Sequence, residues 1–137
     1  MCTDFNYSIK NNFSGLQEFM EEFIAYLKII SSNQSSSRKV RLVAEELLTN
    51  IIKYGYADST EKLIDFTLHP NKKSFRIVIV DDAKPFNPTI AREKPNADSA
   101  EGLKIGGLGL IIVKKSCSRM NYRRDGNKNK LSITVPI

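Results

Sequence analysis

The chain has 137 residues, 41% of them apolar and 26% charged, which allows one compact domain with a real core and excludes wholesale disorder. No apolar run approaches the ~20 residues that span a bilayer, the opening MCTDFNYSIK has no basic-then-apolar leader, and Cys2 and Cys117 are too few for a disulfide framework, so a cytoplasmic protein with free thiols and no membrane contact is expected. The net charge of +6 is uneven, with 13 basic and 14 acidic groups over residues 1–103 but 8 basic groups against Asp125 alone over residues 104–137, an end that attracts polyphosphate, nucleic acid or acidic protein, or simply keeps a face solvated.

Residues 4–11 alternate Phe5, Tyr7 and Ile9 with polar partners, the period of a strand. Ser14 with Gln17 has the form of a capping box and predicts a helix over about 15–30, with Leu16, Phe19, Met20, Phe23 and Leu27 at helical spacing. The polar run 31–37 should end it as a loop. Val40, Val43, Ala44, Leu47, Leu48 and Ile51 then form one apolar stripe of a second helix, with Gly55 as its stop. KLIDFTLHP and KSFRIVIVDD read as two strands joined by a short turn. Ile77, Val78, Ile79 and Val80 are apolar on both faces, which suits a central, covered strand. Residues 83–106, broken by Pro85, Pro88 and Pro95, make a long loop of the kind that is functional or disordered. A third helix over about 107–118, with Ile111, Ile112 and Val113 in the core, precedes two strands joined at Asp125-Gly126-Asn127. This order lacks the strict strand–helix alternation of a doubly wound fold. It predicts an α+β chain: one domain over 1–137, a two-layer α/β sandwich with a mostly antiparallel sheet and three helices on one face.

Three places could carry chemistry. Glu46 and Asn50 are neighbours on the second helix, at the border of its apolar stripe, with Lys53 a turn further on. A carboxylate and an amide oxygen four residues apart offer hard ligands to Mg²⁺, and a carboxylate there can also accept a proton. On spacing alone a solvated helix flank is the commoner reading. Asp81 and Asp82 end a strand before a loop, where an aspartate can accept from the exocyclic amine of a base or merely cap its own turn. Lys104-Ile105-Gly106-Gly107-Leu108-Gly109-Leu110 leads into an apolar helix, so free N–H groups and a positive dipole end can meet an anion. It is not the Gly-Lys-Ser/Thr phosphate loop, and it does not follow a strand as a dinucleotide fingerprint should. His69, beside Pro70, reads as a surface residue.

In order, these segments resemble the motifs of the GHKL superfamily (the Bergerat ATP-binding fold), and within it the anti-sigma-factor serine kinases. VAEELLTNIIKYGY is similar to the N box, IVIVDDAKPFNP to the first glycine box with its Pro-Phe-x-Pro ending, and KIGGLGLIIVKK to the second; the likeness covers roughly residues 10–135. The resemblance implies ATP and Mg²⁺ as ligands. It gives Glu46 the role of general base, Asn50 that of Mg²⁺ ligand, and Asp81 that of adenine reader. Ala83, Pro85 and Phe86 would flank the base. Lys104, Ile105, Gly106, Gly107, Leu108, Gly109 and Leu110 would form the phosphate loop, and a lid over about 87–106 would close on the nucleotide. Three positions depart from the pattern. Ala83 replaces the usual glycine, Asn129 stands where a hydroxyl contact is usual, and Lys53 replaces a frequent histidine and could reach a phosphate. The implied function is an ATP-dependent serine/threonine protein kinase acting on a small anti-sigma-antagonist protein. A sigma factor is a further implied partner, and the implied assembly is a homodimer. The alternative is a catalytically weak nucleotide-dependent switch that sequesters a protein partner. Binding of nucleic acid is not expected, because no aromatic-interleaved RNA signature accompanies the basic end.

Overall fold

The period-two segment at the start becomes β1 (Phe5–Lys10) in the computed structural model, which describes residues 3–90 and 108–137. Then come α1 (Phe13–Ile30), α2 (Gln34–Tyr54), β2 (Leu63–Pro70), β3 (Ser74–Asp81), α3 (Leu108–Ser116), β4 (Arg119–Asp125) and β5 (Lys128–Pro136). The strands form one five-stranded sheet in the order β1-β2-β3-β5-β4, with every neighbouring pair antiparallel. The three helices of the described residues lie on one face, as the α+β reading requires. Ile64, Phe66 and Leu68 of β2, Ile77 and Ile79 of β3, and Ile133 and Val135 of β5 point inward. They meet Phe19 and Phe23 of α1 and Val40, Val43 and Leu48 of α2 in a single core cluster. Phe66 stands edge-on to Phe19 and Phe23, with ring centroids 4.7 and 5.2 Å apart, the arrangement that aromatic quadrupoles favour.

β3 is the central strand, as its apolar run predicts, but only one of its faces is covered. Ile77 and Ile79 are fully buried, while Val78 and Val80 are half-buried on the opposite face beside exposed Arg76. That face also carries exposed Asn6, Asp65, Arg123 and Lys130, so the two valines supply strand propensity more than core.

The helix starts differ from the expected ones. Asn12 caps α1, its side chain accepting from Gly15 N–H at 2.7 Å, and Ser14 lies inside the first turn. The chain turns as soon as β1 ends, Asn12 N–H bonding Lys10 O at 2.8 Å, which draws the cap two residues forward. Asn33 caps α2 through Ser36 N–H at 3.0 Å, so Gln34–Ser37 extend the helix instead of forming loop. Gly55 does end α2, with φ −82°. Its need for glycine is spatial: a Cβ there would lie 2.6 Å from Ile51 O and 2.7 Å from the Ala83 methyl carbon. Between β4 and β5 the turn places Gly126 at φ 61°, a left-handed conformation that glycine adopts without cost. In α3, Leu110 and Val113 are buried, but Ile111 is only half-buried and Ile112 is 39% exposed, so neither is core.

Candidate functional site

β3 and β5 run antiparallel with Asp81 opposite Asn129, so the end of the central strand and the start of its neighbour present two polar side chains inward, below the apolar layer. Both are almost fully buried. Asp81 Oδ1 accepts from Ala83 N–H at 3.0 Å and from Asn129 Nδ2 at 2.8 Å. Burial pushes the Asp81 carboxyl above the usual carboxylate range, and these two donors, with Arg124, pull partly the other way. Among the described residues nothing donates to Oδ2.

Asp81 stands at one wall of a cavity of about 130 Å³. The lining is mainly apolar: Leu47, Ile51 and Tyr54 from α2, Ala83, Pro85, Phe86 and Pro88 after β3, Leu110 from α3, and Leu131 from β5. Asn50 and Asn129 also line it. An apolar slot with one buried, half-satisfied carboxylate suits a flat base carrying an amine. Asp82 turns away, accepting from the Tyr56 hydroxyl at 3.3 Å and pairing with Lys62 at 3.8 Å. Burial, with the charges of Asp81 and then Asp82, holds the Tyr56 phenol well above its ordinary range. The geometry therefore separates the two aspartates that the sequence offers side by side.

On α2, Glu46 and Asn50 lie one turn, about 6 Å, apart along the axis. Neither side chain has a hydrogen-bond or ion-pair partner among the described residues. Glu46 is packed against the start of α3: a Cβ added to Gly109 would fall 2.1 Å from Glu46 Oε2. The carboxylate thus packs directly on the backbone of α3 at Gly109. The unpartnered amide oxygen of Asn50, which lines the cavity, fits Mg²⁺, which keeps several waters and needs few protein groups.

Of the expected site residues, Asn50, Asp81, Ala83, Pro85, Phe86, Leu110 and Asn129 line the cavity. Glu46 and Gly109 meet beside it, and Leu108 begins α3. Lys53 is exposed and does not line the cavity. Lys104, Ile105, Gly106 and Gly107 lie outside the described residues, as does the expected lid beyond residue 90. Asn129 differs from its expected role. Its amide is directed at the protein: Nδ2 faces Asp81, Ala83 O and Lys84 O, while Oδ1 accepts from Tyr122 and Arg124. Sequence reasoning missed Tyr122 and Arg124. Their signal was the inward phase of β4, where Met120, Tyr122 and Arg124 alternate with exposed residues and an arginine occupies a core-facing slot.

This fold and cavity define the class. The chain belongs to the histidine kinase-like ATPase domain family, whose model matches residues 11–135. It is 28% identical over 93 residues to the serine/threonine-protein kinase BtrW of Bordetella bronchiseptica, a match spanning 68% of this chain and just under two thirds, 66%, of that protein. Among solved structures, the RsbU and RsbW domains of Rv1364c from Mycobacterium tuberculosis match with a TM-score of 0.67 at 13% identity, over 97% of this chain and 32% of that one. The SiaB–SiaC complex of Pseudomonas aeruginosa matches with a TM-score of 0.63 at 16% identity, over 97% of this chain and 89% of that one. At such identities the two structures establish the fold. No helix among the described residues is long and apolar enough to cross a membrane.

Proposed function

We propose that this chain binds ATP with Mg²⁺ in the cavity beside α2 and acts as a serine/threonine protein kinase of the anti-sigma-factor type on a small antagonist protein. The observation that carries the reading is the Asp81 carboxylate, buried in the wall of an apolar slot, with one oxygen held by two donors and the other without a donor among the described residues. Asp81 accepts the adenine amine. Pro85, Phe86 and Leu110 cover the ring, Asn50 would hold Mg²⁺, and residues 104–110 would meet the phosphates. The metal would neutralise charge on the phosphate oxygens, and most of the catalytic effect in such transfers is positioning and charge stabilisation. Glu46 takes the proton of the attacking serine hydroxyl as its oxygen bonds to the γ-phosphorus and the bond to ADP breaks. A single domain over 1–137, a lid over 87–106, a homodimer, a sigma factor among the partners and a cytoplasmic location complete the reading. Support for the partner class comes from likeness to BtrW, a named serine/threonine kinase, and to a fold solved with SiaC.

Calorimetry should show micromolar ATP binding that needs Mg²⁺ for the triphosphate, and complete absence of nucleotide binding would end the proposal. With labelled ATP and a candidate antagonist, label should pass to the partner, and Glu46→Ala should abolish transfer while leaving binding. Transfer unaffected by that change would remove the assigned role. The second reading, a nucleotide-dependent switch without transfer, is favoured by Ala83, whose methyl group stands in the cavity wall. ATP-dependent partner binding with no label transferred would establish it.

A further inference from the structure

The Asn129 side chain is used completely by the protein. Its Nδ2 carries two protons and faces three acceptors, Asp81 Oδ1 at 2.8 Å, Ala83 O at 3.1 Å and Lys84 O at 3.2 Å. Its Oδ1 takes the Tyr122 hydroxyl and Arg124 Nη1, the latter at 3.0 Å. An amide oxygen has two lone pairs, so no acceptor or donor capacity is left for a ligand. The orientation is also dictated. Arg124 can only donate, and it is anchored by Ala83 O at 2.8 Å and Gly126 O at 3.1 Å. A flipped amide would set its oxygen against a carboxylate and two carbonyls, and its NH₂ against a guanidinium.

The consequence falls on Asp81. Ala83 N–H and Asn129 Nδ2 fill Oδ1, which leaves Oδ2 as the oxygen without a donor among the described residues, on a side chain that lines the cavity. A free carboxylate can accept two donors side by side, the pattern that the N1–H and 2-amino group of guanine present. A carboxylate with one oxygen occupied takes a single exocyclic amine instead. We propose that Asn129, locked by Tyr122 and Arg124, is a specificity-determining positioning residue that makes Asp81 a one-oxygen reader, so that the cavity takes an adenine-type base and discriminates against a guanine-type one. This rests on the nucleotide reading above.

The test compares ATP and GTP affinities by calorimetry for the intact chain, Asn129→Ala and Tyr122→Phe, with thermal melts to verify folding. The unaltered chain should prefer ATP. Asn129→Ala removes one of the two donors on Oδ1 and leaves Ala83 N–H on the other, so an acceptor position opens and the ATP-to-GTP preference should fall roughly 10-fold, the value of one hydrogen bond to a charged group. Tyr122→Phe keeps Asn129 but removes one of the two donors on its oxygen, leaving Arg124, and should move the ratio the same way by less; it carries the test alone if Asn129→Ala does not fold. Equal weakening of both nucleotides, with the ratio unmoved, marks a merely structural role and overturns the inference while ATP binding stands. Equal affinity of the unaltered chain for ATP and GTP overturns it as well. An unaltered chain that binds neither nucleotide instead overturns the reading of the cavity on which the inference depends.

Discussion

Replacing Asp81 by asparagine isolates the chemistry of the site from its architecture. The two side chains have the same shape. The variant's amide oxygen can keep the place of Oδ1, accepting from Ala83 N–H and Asn129 Nδ2, while its NH₂ takes the place of Oδ2 and faces the cavity. A donor then confronts the base amine. At minimum one hydrogen bond to a charged group is lost, roughly 1.5–3 kcal/mol, or about 10- to 150-fold in Kd. The clash of two donors makes that a lower bound. Stability should move the other way. Burial raises the Asp81 carboxyl, so the folded state favours its protonated form. For such a group the stabilising contribution is fully present below the unfolded value of about 3.9 and is lost as pH rises through the folded value. Asparagine escapes that loss, so Asp81→Asn should gain in melting temperature relative to the parent on going from pH 4 to pH 7. Calorimetry at neutral pH and thermal melts across that window measure both effects. ATP binding within threefold of the parent, or a variant whose relative stability falls as pH rises, would refute the assignment of Asp81.

Gly109→Ala puts a methyl carbon 2.1 Å from Glu46 Oε2, so the carboxylate must swing aside. Phosphoryl transfer should then fall on the order of 100-fold, as for a misplaced catalytic group, in a single-turnover assay. Gly55→Ala drives a methyl against Ile51 O at 2.6 Å and the Ala83 methyl at 2.7 Å, neither of which can retreat freely. It should cost about 1–3 kcal/mol in urea denaturation. Phe66→Ala opens the aromatic cluster around Phe19 and Phe23 and should cost about 3–5 kcal/mol by the same measurement. Burial pushes the Cys117 thiol up to about 11, so its alkylation should be slow at pH 8 and rise roughly tenfold per pH unit to pH 10.

The fold was legible because the periodicities are clean. The apolar stripe from Val40 to Ile51 admits one helix face, and β3 could be placed centrally from its run of four apolar residues. What misled were short polar segments. Ser14 looks like a cap and the polar run 31–37 like a loop, yet the asparagines at 12 and 33 hold the helix starts, because an Asx side chain reaches the third amide well and tertiary turns decide where each helix begins. In the site, Glu46, Asn50 and Asp81 could be found as motif residues. The Tyr122–Asn129–Arg124 network could not, since it depends on which residue of β4 and β5 stands opposite which, and register is a property of the paired sheet.

Ala83 is the residue on which the two functional readings divide, and its surroundings bear on the division. A methyl in place of hydrogen at position 83, in the cavity wall, threatens to shorten the cavity. Here it is only 4% exposed, and it approaches the one position of α2's end that has no side chain, Gly55. The same contact is closed by Lys84 N–H bonding Gly55 O at 2.9 Å. The volume added at 83 is thus met by volume withheld at 55, and part of the methyl surface is spent against the helix end rather than the slot. On this account Ala83 and Gly55 are a coupled pair. Ala83→Gly alone would empty a contact beside the cavity without enlarging its mouth by a full methyl, and should change ATP affinity by less than Asp81→Asn. A large gain in affinity from Ala83→Gly would show instead that the methyl obstructs the base, and would shift the balance to the switch.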